Sequence, residues 1–195
     1  YKAVTGNSGL YFRIEEKGFS GVSGFQAEID PEKDTGGLYE TNGRAWVSQP
    51  KPEEVEKWHK PNEWNTMTVS ARGRRVVVNV NGYRTAELRD DPGRTEGRLA
   101  LQLHGSQDVE VFFKDIEWKA LCCYVNKTPV APEKPPSLRK AMFMVGAIGG
   151  HLGRKGDGEP GTQTLWRGLQ RLDTATEMYA ILTHQEYAHP FELGP

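Results

Sequence analysis

Gly97-Arg98-Leu99-Ala100-Leu101-Gln102-Leu103-His104-Gly105 is the stretch on which the fold of this chain turns. Leu99, Leu101 and Leu103 alternate with Ala100, Gln102 and His104. Successive side chains of a strand point to opposite faces, so strict alternation marks a strand with one buried face and one usable face. The leucines anchor the strand in a core. Gln102 and His104 share the other face, an amide beside an imidazole, and that face is where chemistry is expected.

The segments on either side have the same character. Leu10 to Ile14 reads as a strand, as do Leu38 to Glu40 and Val109 to Trp118. In Phe25-Gln26-Ala27-Glu28-Ile29-Asp30 the apolar residues take one face, while Gln26, Glu28 and Asp30 take the other. Thr66 to Ala71, Val76 to Val80 and Tyr83 to Leu88 follow, the last two joined by Asn81-Gly82, whose residues suit the positive φ of a tight hairpin. Ser48 to Asn62, rich in Pro, Lys and Glu, reads as a surface loop with one helical turn near Glu53 to Trp58. Short strands separated by regular turn signals predict an all-β, antiparallel sandwich over residues 1–121. The chain opens on strand material, Tyr1-Lys2-Ala3-Val4, so further strands of the domain are expected upstream.

The pattern changes after Leu121. Residues 122–136 read as a linker, with four prolines between Thr128 and Pro136. Residues 137–195 read as a two-helix appendage outside the sandwich. Ser137 caps a predicted helix over Leu138 to Ile148, stopped by Gly149-Gly150. A second starts at Thr162 or Thr164, with Leu165, Leu169, Leu172, Tyr179 and Leu182 near one stripe.

A formal net charge of -1 supplies no global field for nucleic acid or an anionic membrane surface. Contact with nucleic acid is disfavoured, with only the locally basic tail (Arg154, Lys155, Arg167, Arg171) to make it, and Asp157, Glu159 and Asp173 dilute that charge. No apolar run approaches the ~20 residues of a membrane span. The only cysteines are the neighbours Cys122-Cys123, which have neither disulfide nor metal-site spacing. His184 and His189 are five apart, off the i, i+4 face used by helical zinc sites. No metal and no cofactor is expected. What remains is the polar sheet face. Glu28, Asp30, Gln102 and His104, with Arg13, make a plausible sugar site: carboxylate and imidazole exchange protons near neutrality, while Arg and Gln bind hydroxyls or a ketone oxygen. The plainer alternative is the solvated face of a half-exposed sheet. Trp46, Trp58 and Trp64 are either sugar-stacking rings or buried core.

Two resemblances follow. Asn7-Ser8-Gly9-Leu10-Tyr11-Phe12-Arg13, Phe25 to Asp30, Thr35-Gly36-Gly37-Leu38-Tyr39, Glu63-Trp64-Asn65, Val80-Asn81-Gly82, Gly97 to Gly105 and Val111 to Ile116 resemble, in order and spacing, the 3-keto-disaccharide hydrolase domain family. That resemblance implies a concanavalin-like jelly roll, a small carbohydrate partner, action on 3-keto-glycosides, and a family often exported to the periplasm or beyond. His104 and Glu28 are then the candidate base and acid, in either order, with Arg13, Gln102 and Asp30 binding substrate. Because family strands are expected upstream, an incomplete or inactive domain is anticipated. Met144 to Gly161 and Thr164 to Leu172 resemble the carboxy-terminal tail of insertion-sequence transposases with an acidic metal triad. The triad has no counterpart here, which implies a catalytically silent tail fused to the jelly roll. Two other function classes stay open: a sugar-binding module without catalysis, and a transposase remnant with DNA-binding ancestry.

Overall fold

The structure is a computed structural model, and it describes residues 1–17, 21–117, 140–144, 151–155, 165–170 and 178–183. The alternating segments are strands: β1 (Lys2–Thr5), β2 (Ser8–Glu16), β3 (Val22–Ile29), β4 (Leu38–Thr41), β5 (Ala45–Ser48), β6 (Met67–Arg72), β7 (Arg75–Val80), β8 (Tyr83–Leu88), β9 (Arg98–Leu103) and β10 (Val109–Lys114). The one helix among the described residues is α1 (Pro52–Val55), in the loop where a helical turn was expected. Pro52 begins it and Glu53 and Glu54 sit in its first turn, where the missing N–H and the acidic charges suit a helix start. Asn81 and Gly82 both take positive φ, +50° and +86°, and close the β7–β8 hairpin.

Pairing is antiparallel throughout. A seven-stranded sheet runs in the order β11-β14-β9-β2-β3-β4-β5, a four-stranded sheet β1-β10-β13-β12, and a three-stranded sheet β6-β7-β8. Here β11 is Lys140–Met144, β12 His151–Lys155, β13 Leu165–Gln170 and β14 Met178–Thr183. The two smaller sheets meet where Asn65 N donates to Tyr1 O at 2.8 Å and Asn62 N to Ala3 O at 3.1 Å, so β6 starts beside β1.

The core lies between the layers. Leu101, Leu103 and Ile29 pack with Val109, Val111, Phe113 and Val80. Phe12, Phe25, Ala27 and Leu38 pack with Val76, Val78 and Ala86. Each large side chain buried in this way contributes about 1.5–3 kcal/mol. Trp58 plugs one end, its Nε1 donating to Thr35 O at 2.9 Å.

Three expectations change here. The predicted helix over 138–148 does not form across its described part, because Lys140–Met144 is strand β11, paired with β14 from Lys140↔Thr183 to Met144↔Tyr179. The predicted second helix is replaced in its described parts by β13 and β14. These segments also do not stand outside the sandwich. β14 pairs with β9, β13 with β10, and Leu182, 6% exposed, joins the core beside Leu101 and Leu103. The physical reason is that β9 and β10 each offer a row of otherwise unpaired N–H and C=O groups, and short apolar segments fill such edges whatever their helical spacing suggests. The proline-rich stretch 128–136 and Cys122-Cys123 lie outside the described residues.

Candidate functional site

Leu10 and Phe12 of β2 face the core, as do Phe25, Ala27 and Ile29 of β3 and Leu99, Leu101 and Leu103 of β9. The alternate positions therefore share the outer face. The register sets Gly9 opposite both Glu28 and Gln102, so these two side chains flank a glycine in one cross-strand row. On the far side, Glu28 N donates to Gly37 O and Gly36 N to Glu28 O, each at 3.0 Å, which continues the row to Gly37. Tyr11 lies one row over, opposite Gln26 and Ala100, its hydroxyl 2.8 Å from Thr41 Oγ1.

Hydrogen bonds fix the orientations. Gln26 Nε2 donates to Gln102 Oε1 at 2.8 Å and to Ser8 O at 3.3 Å. Asn7 Nδ2 donates to Glu28 Oε1. Asn7 is itself positioned by its N–H to Gln107 Oε1 at 2.9 Å and by its carbonyl, which accepts from His104 N at 3.2 Å. His104 thus stands at the end of the row next to Asn7. Its Nδ1 is 2.6 Å from Gly105 O. A carbonyl oxygen only accepts, so Nδ1 is the donor in this contact. Glu28 and Gln102 are 3% and 1% exposed, whereas His104 and Asn7 are half-buried.

Comparison with protein families matches residues 1–119 to a 3-keto-alpha-glucoside-1,2-lyase-like domain. The chain belongs to that family. The family is carbohydrate-active, in accord with a polar row of acid, amide and imidazole on a sheet face. A second family model, the transposase Tn5 dimerisation domain, matches residues 96–186, so the fusion of the two resemblances is present in the one chain. The two matches overlap over 96–119, which contains β9 and β10. No curated protein matches the chain.

Of the residues singled out in the sequence, the lyase-like fold sets Glu28 and Gln102 in one row, puts His104 one residue past the end of β9 beside Asn7, and leaves two elsewhere. Arg13 sits at a bulge of β2 with φ +53°, and its Nη1 donates to Arg94 O at 3.0 Å. Burial lowers its pKa and the Asp91 carboxylate pulls the other way, so its charge serves the 91–94 loop rather than the row. Asp30 lies past the end of β3 in a turn, its Oδ1 accepting from Glu32 N at 2.8 Å and its carbonyl from Thr35 Oγ1 at 2.5 Å. Sequence reasoning missed Gln26 and Asn7 as members of the site. Gln26 was legible as the polar neighbour of Glu28 on the same stripe. Asn7 precedes β2 and carries no periodic signal.

Among the described residues no cluster of three or more His, Cys, Asp or Glu is placed to hold a metal. Two hollows of about 570 and 550 Å³ lie on the β6–β8 sheet, lined by Arg72 and Arg75 with Arg74 and Arg89 or Ser70 and Val77. Neither is lined by a residue of the Glu28 row. Glu87 answers Arg75 and Arg89 there, and hydrogen bonds from those two hold its carboxyl at about 2.

Proposed function

We propose that the domain cleaves the glycosidic bond of a 3-keto-glycoside by elimination. The ketone at C3 acidifies the C2–H bond. His104 Nε2 takes that proton, and the electron pair moves through C2–C3 onto the ketone oxygen. Return of the pair forms C1=C2 and breaks the C1–O bond, and the departing oxygen takes a proton from Glu28 in its acid form. Water adding back across C1=C2 would complete a net hydrolysis. Gln102 serves the ketone oxygen: Gln26 occupies its Oε1, which fixes Nε2 as the donor end of the amide.

The observation that carries this reading is the hydrogen-bonded row of Glu28, Gln102 and Gln26 on one sheet face, with His104 just past its end beside Asn7. The test is turnover of a 3-keto-disaccharide by the whole chain, followed by release of the free sugar. His104→Ala is expected to lower kcat by about 10²–10⁴-fold, with the fold intact by circular dichroism. Unchanged turnover would sink the assignment.

The burial of Glu28 and Gln102 favours a second reading, a sugar-binding module without catalysis, because a group so enclosed serves more readily to shape a surface than to meet a substrate. Calorimetric binding of an unoxidised disaccharide, with no product from its 3-keto form, would select it.

A further inference from the structure

We infer that Trp46 and Tyr39 form the subsite for the second sugar, the one expelled when the bond breaks; this rests on the elimination reading above. Gly37 sets the geometry. It lies opposite Glu28 on the outer face, and a Cβ built there would meet Trp46 Cζ3 at 2.8 Å and Pro50 Cδ at 2.9 Å. The indole therefore leans over the glycine and occupies the space that a side chain at 37 would fill. Only a glycine at this position lets a large ring approach the strand that carries Glu28.

Tyr39 stands next to it, opposite both Gln26 and Trp46 in the register. The two rings meet edge to face, with centroids 5.3 Å apart and planes at 88°. That geometry makes a rigid corner, not a stack, and both residues are half-buried on the outer face. Among the described residues Trp46 Nε1 makes no hydrogen bond, so its N–H serves a sugar hydroxyl while the ring takes the apolar C–H face of the pyranose. Strands are spaced about 4.8 Å apart. The corner is thus one to two strands, about 5–10 Å, from Glu28, within reach of a ring joined to the oxygen that Glu28 protonates.

The specificity consequence is concrete. The corner recognises the leaving sugar and has no part in the proton transfers at the first ring. The experiment compares a 3-keto-disaccharide with the methyl 3-keto-glucoside, which lacks the second ring, using the whole chain with Trp46→Ala, Tyr39→Ala and Trp46→Phe. Trp46→Ala is expected to raise KM for the disaccharide about tenfold, leave KM for the methyl glycoside unchanged, and preserve the melting temperature. Trp46→Phe is expected to recover most of the loss. Equal effects on both substrates, or none on either, would overturn the subsite. Calorimetric titration with the disaccharide separates this from failure of the elimination reading. A chain that cleaves neither substrate, yet binds the disaccharide about tenfold more weakly as Trp46→Ala, keeps the subsite and discards the chemistry. A chain whose binding ignores Trp46→Ala discards the subsite.

Discussion

At the scale of single residues, two histidines show how surroundings set a role. His104 has Nδ1 2.6 Å from the Gly105 carbonyl oxygen at the edge of a polar row. His59 is 6% exposed, stacks on Tyr1 and has Nδ1 3.0 Å from the Tyr1 hydroxyl. Burial raises the pKa of that hydroxyl, so it stays protonated beside Nδ1. The buried His59 Nε2 has no hydrogen-bond partner among the described residues. Burial pushes the His59 pKa down, with Asp30 pulling weakly upward. The unfolded chain therefore takes up this proton first, near pH 6.5. Stability from neutral His59 is complete above that value and is lost as the pH falls towards the folded pKa. The urea midpoint of the parent chain is expected to drop between pH 7.5 and 5.5, and to drop less in His59→Phe. Equal declines in the two would assign the loss in that range to groups other than His59.

At the scale of elements, the strands were legible because alternation and burial agree in β3, β9 and β10. Glu28 and Gln102 were legible as outer-face positions for the same reason, whereas His104 lies one residue past the end of β9. Arg13 was not. A straight β2 would carry it on the outer face with Gly9 and Tyr11, but the pairing slips between Phe12 and Glu15 against β3, and between Tyr11 and Ile14 against β9. The bulge takes the guanidinium to Arg94. Its cause lies outside β2, where no local pattern could reveal it: Gly24 of β3 and Gly97, just before β9, both approach the Arg13 backbone. Asp30 was misplaced for a simpler reason, since β3 stops at Ile29 and the period-two count stops with it. Gly97 gives the test. It has φ +141°, and a Cβ there would lie 2.4 Å from the Arg13 carbonyl carbon and 2.6 Å from Ile14 N, both backbone atoms that cannot swing aside. Gly97→Ala is expected to cost about 2–4 kcal/mol in chemical denaturation. A loss under about 0.5 kcal/mol, the range of ordinary surface changes, would mean that the bulge is soft.

At the scale of the whole molecule, the question is whether residues matched by the transposase family model belong to the same folding unit as the lyase-like sandwich. Periodicity separated them, since the apolar positions from Leu165 onward recur at helical spacing. That reading treated the tail in isolation, whereas β9 and β10 present open edges that local propensity does not register. In the structure β14 and β13 pair along those edges, and the overlap of the two family matches falls on the same two strands. A shared core makes a prediction that pairing alone does not. Leu182 is 6% exposed among Leu101, Leu103 and Val111, so Leu182→Ala leaves a cavity between layers built from both matched regions. The expected cost is about 2–5 kcal/mol, expressed in a single unfolding transition that shifts as a whole when followed by far-ultraviolet circular dichroism and by tryptophan fluorescence. Two transitions, with only one displaced by the substitution, would instead assign the strands from Lys140 to Thr183 to a unit that folds apart from the sandwich.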